Sequence, residues 1–130
     1  MPQSHQSGVE GNAFGRSAAP KIARALGAAM SRKGSNEATL DGRHIVIKCA
    51  RRRTQSVGVS LQMLPTLDAV IGAFEQDDGA FEVFSLDADI YRGRMTPTRS
   101  RGASAGRVGI VTKRVFTDEG KRIGSLRIDT

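Results

Sequence analysis

The sequence predicts an α+β (or α/β) domain in which helices cover the apolar face of one mixed sheet. Two observations support this. An Asp41-Gly42 pair stands between two alternating apolar segments, which is typical of a β-hairpin. Segments with apolar residues at helical spacing lie on both sides of that hairpin. The predicted order is an α-β-β-β-α-β core followed by a C-terminal hairpin.

The hairpin has a predicted register. A two-residue turn at 41–42 pairs Leu40 with Arg43 and Glu37 with Val46. Because side chains alternate along a strand and directly opposed residues share a face, the two faces differ in character. The apolar face carries Ala38, Leu40, Ile45, Ile47 and Cys49. The other face carries Glu37, Thr39, His44, Val46 and Lys48.

The remaining elements follow from spacing and turn residues. The pattern predicts a helix over Pro20–Met30, with Pro20 in the first turn and a stop at residues 32–34. A third strand over Val57–Leu61 precedes an amphipathic helix over Met63–Glu75. The other predicted elements are a strand over Phe81–Leu86, a helical turn within Asp87–Met95, a strand over Val108–Val111 that continues at Val115–Phe116, and a last strand over Ile123–Ile128.

The composition predicts one domain. Residues 1–12 are polar and are expected to be a flexible N-terminal tail, and residues 13–130 form a single domain with a basic loop at 96–107. No apolar run is long enough to span a membrane, and no basic region is followed by an apolar stretch at the N-terminus. The chain has a single cysteine, Cys49, which is interpreted as a buried small hydrophobe. On the basis of this cysteine usage, the chain is expected to be cytoplasmic.

Charge is segregated along the chain, which has a formal net charge of +7. Residues 44–60 and 91–116 contain Lys and Arg but no acid, whereas 61–90 contain acids only. This pattern favours a polyanion as partner, the alternative being a solvated basic surface. Because aromatic residues are few, contact with duplex phosphates is favoured over base stacking, and DNA over RNA. The predicted nucleic-acid-binding residues are Arg51, Arg52, Arg53, Arg99, Arg101 and Arg107.

The order of elements over residues 13–86 resembles the core of the PD-(D/E)XK, or restriction-endonuclease-like, superfamily. Asp41 and Lys48 match its acid and lysine, while Val46 stands where its second acid is expected and Leu40 where its proline is expected. Glu37, across the hairpin from Val46, is the candidate replacement. The resemblance implies a magnesium-dependent nuclease with Glu37, Asp41 and Lys48 as catalytic residues and Glu37 and Asp41 as metal ligands.

Other interpretations remain open at this point. In one alternative, the turn alone explains the presence of Asp41. Glu37 and Lys48 then form an ordinary cross-strand ion pair. His44 is an ordinary strand histidine, or else a base or metal ligand. For the whole chain, the alternatives are a non-catalytic DNA- or RNA-binding module and a basic adaptor that binds an acidic protein. A homo-oligomer is compatible with either.

Overall fold

The computed structural model describes residues 14–15, 17–31, 36–97 and 107–128. Helix α1 covers residues 14–26 apart from residue 16, which is not described. The strands are β1 (Ala29–Met30), β2 (Glu37–Leu40), β3 (Arg43–Ala50), β4 (Ser56–Ser60), β5 (Ala69–Glu75), β6 (Phe81–Asp87), β7 (Thr96–Pro97), β8 (Val108–Thr112) and β9 (Lys121–Leu126). The other helices are α2 (Ala88–Arg94), α3 (Lys113–Glu119) and a 3₁₀ turn at Leu64–Thr66.

The strands form two sheets. The larger, mixed sheet has six strands in the order β1-β2-β3-β5-β6-β9, and the smaller has the order β4-β8-β7. Strands β3 and β5 are parallel, and the other pairs are antiparallel. The α+β class and the mixed sheet are confirmed. The prediction of a single sheet was wrong, because β4 leaves β3 and pairs with β8 in the second layer.

The hairpin has the predicted register. Glu37 pairs with Val46, Ala38 with Ile45, Thr39 with His44 and Leu40 with Arg43. Asp41 and Gly42 both adopt positive φ, 52° and 76°, as a type I′ turn requires. Asp tolerates this region and Gly favours it, so the turn sequence is sufficient to set the register.

The larger sheet is buried on both faces. Helix α1 covers one face, where Ala38, Ile45, Ile47, Ile71 and Phe81 belong to the same apolar cluster as the helix residues Phe14, Ala18 and Ile22. The second sheet, α2 and α3 cover the other face, whose cluster includes Val46, Val70, Phe74, Tyr91 and Phe116. The hairpin's polar face therefore lies under a second layer, and Val46 on it is only 1% exposed.

The helix predicted over Met63–Glu75 was wrong. The segment contains the 3₁₀ turn and then β5, in which all residues before Glu75 are buried. A strand in the middle of a sheet that is covered on both faces is apolar at every position. Such a run also matches the i, i+3, i+4 spacing of a helix, so spacing alone did not distinguish the two.

Helix α1 also differs from its prediction. It begins before Pro20, because Phe14 and Ala18 are buried against the sheet, and it ends before Gly27. Gly27 has φ 77°, and the amides of Gly27 and Ala28 donate to the carbonyls of Arg24 and Ala23. This is the Schellman arrangement, so the stop predicted at residues 32–34 comes too late.

The predicted C-terminal hairpin is replaced by strand–helix–strand. After β8 the chain forms α3, whose Phe116 is fully buried, and β9 then joins the edge of the larger sheet beside β6. The apolar pair Val115–Phe116 predicts a strand from the sequence, but in the structure Phe116 packs a helix against the core. Strands β8 and β9 consequently belong to different sheets.

Candidate functional site

The hairpin brings three of its polar side chains to one face. Glu37 opposes Val46 in the register, and His44 and Lys48 lie two residues to either side of Val46 on β3. Glu37 is therefore a diagonal neighbour of both. The structure thus places Glu37 and Lys48, two of the predicted catalytic residues, on the same face of neighbouring strands.

His44 is the centre of a hydrogen-bond network that the sequence did not predict. Its Nε2 lies 3.0 Å from Glu37 Oε1, and its Nδ1 lies 2.7 Å from the carbonyl oxygen of Thr66. Its backbone amide donates to Asp68 Oδ2 at 2.8 Å. Both ring nitrogens therefore face oxygen atoms, and the ring bridges the carbonyl and the carboxylate. The predicted register put Glu37 and His44 on one face, but only the tertiary fold brings Thr66 and Asp68 into contact with His44.

Asp41 does not join this group. It is exposed at the tip of the hairpin, four residues along β2 from Glu37. At about 3.3 Å per residue, this separation is roughly 13 Å, and Lys48 lies roughly 20 Å away along β3. Asp41 has the positive φ of a turn residue. Asp41 and Lys48 are thus held at different ends of the hairpin.

The described side chains do not fit a magnesium centre. Within the described ranges, no three His, Cys, Asp or Glu side chains come together as candidate metal ligands. Glu37 Oε1 faces the His44 ring, and Asp41 is too distant to share an ion with it. Mg²⁺ prefers several oxygen ligands in octahedral geometry, which this pair of carboxylates does not supply.

Lys48 is half-buried between the two layers. Desolvation by burial lowers its pKa, and the neighbouring Cys49 raises it by a smaller amount. Across the residues that the structure describes, its ammonium group has no hydrogen bond or ion pair. Burial also raises the pKa of Cys49 to about 12, so the thiol stays protonated at neutral pH, as expected for a small hydrophobe. A desolvated lysine on a polar face is a typical feature of functional sites.

Arg51, Arg52 and Arg53 are exposed where the chain leaves β3. With Thr54 they line one wall of an open groove, whose volume is ≈ 540 Å³. The turn at residues 75–79, which carries three carboxylates, forms the opposite wall. The guanidinium carbon of Arg51 lies 4.3 Å from the centre of the Phe14 ring. The three predicted phosphate-binding arginines are therefore together, but on the rim of a groove that also contains acids.

The second group of predicted arginines is only partly described. Arg99 and Arg101 lie outside the described residues, as do residues 98–106 of the predicted basic loop. Arg107 is exposed, and its carbonyl accepts a hydrogen bond of 2.9 Å from the amide of Leu61, just beyond β4. Because Arg51–Arg53 precede β4, its five residues separate the two groups by roughly 17 Å.

Ion pairs bring much of the segregated charge together. Basic residues from the later part of the chain pair with carboxylates of the acidic segment and of α3. These pairs are Arg92–Asp89, Lys113–Glu82, Arg122–Glu82, Arg127–Asp78, Arg94–Glu119 and Arg114–Asp118. Arg43 pairs with Asp87 in the same way. By contrast, Lys48 and the three arginines after β3 form no ion pair with any described carboxylate side chain.

Comparison with known proteins finds a similar solved structure. No protein family and no curated protein matches the sequence. The fold is similar to Hjc of Archaeoglobus fulgidus, a Holliday junction resolvase from an archaeal hyperthermophile, with a TM-score of 0.41 and 13% identity. That alignment covers 88% of this chain and 92% of the resolvase.

None of the helices in the described part of the chain has the length and apolar character needed to cross a bilayer.

Proposed function

We propose that this protein binds nucleic acid through the phosphates of the backbone. The observation that carries the proposal is the run of exposed cations Arg51–Arg53 at the end of β3, which have no ion-pair partner among the described carboxylates. Most other described arginines after residue 90 are paired with acids. Cations left unpaired on one edge of a protein with a formal net charge of +7 attract a polyanion.

Arginine suits this role better than lysine would. Its planar guanidinium donates in a fork that matches two phosphate oxygens. Contacts to phosphate position a protein on nucleic acid without reading its sequence. The proposal therefore covers DNA and RNA alike, and the scarcity of aromatic side chains favours a duplex, with DNA first. Exposed Arg107 extends the proposed contact surface beyond β4, and the proposal also includes Arg99 and Arg101, which lie outside the described residues.

Phosphodiester cleavage is a second candidate function. It is favoured by the position of Glu37 and Lys48, a carboxylate and a desolvated ammonium, as diagonal neighbours on one face of the hairpin. A lysine there is suited to stabilise charge on a phosphate. Asp41 is not part of this second proposal, because the register places it at the far end of the hairpin.

The test combines gel shift and cleavage. Purified protein is mixed with a DNA duplex, supercoiled plasmid and a structured RNA, in magnesium, manganese or EDTA. Binding should weaken steeply with salt, because each neutralised phosphate contributes about 0.9 to the slope of log K against log [salt] for duplex DNA. The Arg51→Ala/Arg52→Ala/Arg53→Ala variant should lower that slope and weaken binding by about tenfold or more.

The matched control is Arg114→Ala/Arg122→Ala/Arg127→Ala. It removes the same formal charge, but from arginines that are already paired with carboxylates. The proposal requires the control to retain clearly more affinity than the first variant. Equal losses would attribute binding to net charge alone, and binding to an acidic protein but to neither nucleic acid would replace the proposal with the adaptor interpretation. Cleavage that Lys48→Ala abolishes while binding survives would support the second candidate function.

A further inference from the structure

We propose that Phe14 of α1 positions Arg51 as the principal phosphate-binding residue of the groove. This inference rests on the proposed function and names the residue that organises the contact. Arg51 is one of three consecutive exposed arginines, which the sequence gives no means of ranking. The structure distinguishes it, because it is the one whose guanidinium lies over an aromatic ring within the described residues.

The Phe14 ring is itself held in place. Its side chain is part of the core cluster between α1 and the sheet, with 8% of the residue exposed. It also stacks on the buried ring of Phe81 of β6, with 6.0 Å between the centroids and 21° between the planes. The ring that the Arg51 guanidinium contacts at 4.3 Å is therefore fixed relative to the sheet.

The contact with Phe14 leaves the guanidinium able to bind phosphate. It is made by the guanidinium carbon, and the N–H donors of Arg51 have no hydrogen bond to any described residue, so they remain available to phosphate oxygens. An arginine that is already ordered loses less conformational entropy when a phosphate binds. Arg52 and Arg53 have no such ring contact in the described structure, so their side chains must be ordered by the ligand itself.

Arg51 also forms no ion pair with the described carboxylates on the acidic wall of the groove. Glu75, Asp77 and Asp78 line the opposite side, and an arginine that was not anchored would be drawn toward them. Glu75 instead accepts a hydrogen bond of 3.3 Å from the backbone amide of Arg52, and Asp78 pairs with Arg127. Phe14 thus keeps one cation of the rim available to an anion from outside.

The experiment is a double-mutant cycle on binding to a DNA duplex, with Phe14→Leu, Arg51→Ala and the combined variant. Phe14→Leu keeps an apolar side chain but removes the ring. We expect Arg51→Ala to weaken binding by about tenfold, more than Arg52→Ala or Arg53→Ala, because a hydrogen bond to a charged group is lost. We expect Phe14→Leu to weaken binding by about two- to fivefold when Arg51 is present, and by less than twofold in the Arg51→Ala protein.

Ile22→Val supplies the structural control. Ile22 lies in the same helix and the same core cluster but does not contact Arg51, so its truncation should lower thermal stability without changing affinity. Equal losses of affinity from Phe14→Leu with and without Arg51 would overturn the inference while leaving nucleic-acid binding intact. The inference would also be overturned if Arg51→Ala weakened binding no more than Arg53→Ala does. A wild-type protein that binds no nucleic acid would overturn the proposed function as well.

Discussion

Glu37 and His44 are joined across the hairpin by a hydrogen bond of 3.0 Å between Oε1 and Nε2. The imidazole lies between this carboxylate and the carbonyl of Thr66, so it ties β2 to the segment that leads into β5. One ring thereby connects three parts of the chain. The same contact turns Glu37 Oε1 toward His44 rather than toward a metal ion shared with Asp41.

His44→Ala should lower the free energy of unfolding by about 1–3 kcal/mol, since two acceptors at the layer boundary lose their donor. Urea denaturation at neutral pH measures this change. Glu37→Gln is the comparison, because its amide oxygen still accepts from the ring and should cost less than His44→Ala. A loss below about 0.5 kcal/mol for His44→Ala, the range of ordinary surface substitutions, would mean that water replaces the ring without cost.

Replacement of Lys48 by an apolar residue should stabilise the fold. Burial lowers its pKa, so the folded state disfavours the charged form, and stability rises with pH as Lys48 loses its proton between its folded and its unfolded pKa. Lys48→Met should therefore increase the free energy of unfolding at pH 7 by about 1 kcal/mol. The gain should shrink as the pH approaches the unfolded pKa of lysine. Urea denaturation of both proteins between pH 7 and 10 measures the difference, and a destabilised Lys48→Met at pH 7 would contradict it.

Asp41→Asn should preserve stability within about 0.5 kcal/mol, because Asn also tolerates the positive φ of this turn. Asp41→Val should cost about 1–2 kcal/mol, since a β-branched residue is strained at this φ. Thermal denaturation measures both changes. If the protein cleaves nucleic acid, Asp41→Asn should keep that activity. Its loss in a normally stable Asp41→Asn protein would restore Asp41 to the catalytic set.

Gly72→Ala should destabilise the protein by about 1–3 kcal/mol. A Cβ there would lie 2.8 Å from ring atoms of both Phe74 and Phe116, which are buried. Gly93→Ala in α2 is the control, because no neighbouring atom lies within 4 Å of its Cβ position. That substitution should stabilise by up to about 1 kcal/mol through helix propensity. Similar effects at the two glycines in urea denaturation would contradict this packing of α3 on the sheet.

Cys49 should react slowly with thiol reagents while the protein is folded. Burial raises its pKa to about 12, so almost no thiolate is present at pH 8. The reaction with a chromogenic disulfide should be at least about tenfold slower in the folded protein than in urea. Rapid labelling of the native protein would indicate that the apolar face beneath α1 opens readily.

The hairpin was predictable because its determinants are local. The Asp-Gly turn and the alternation beside it are sufficient to set the pairing of Glu37 with Val46, and no distant residue is needed. The same register already placed Glu37, His44 and Lys48 on one face. It also separated Asp41 from Lys48, so the geometry of the hairpin is a stricter test of a catalytic motif than the residue types it contains.

The strand β5 was not predictable from its own residues. Its continuous apolar run fits a helix as well as a strand, and what decides is burial by α1 on one face and by α3 on the other. The pairing of charges was likewise not predictable from the sequence alone. Blocks that are segregated in sequence pair with one another in the fold, as Lys113 does with Glu82.

The sequence by itself therefore determined the class of the fold, the hairpin and its register, because turn chemistry and strand alternation act between neighbouring residues. Only the tertiary structure decided that β5 is a strand, that β4 belongs to a second sheet, and that His44 lies between Glu37 and Thr66. It also decided which cations remain unpaired and that Phe14 lies beneath Arg51. Each of these depends on residues distant in the chain meeting in space, and burial and electrostatics respond to such contacts rather than to local pattern.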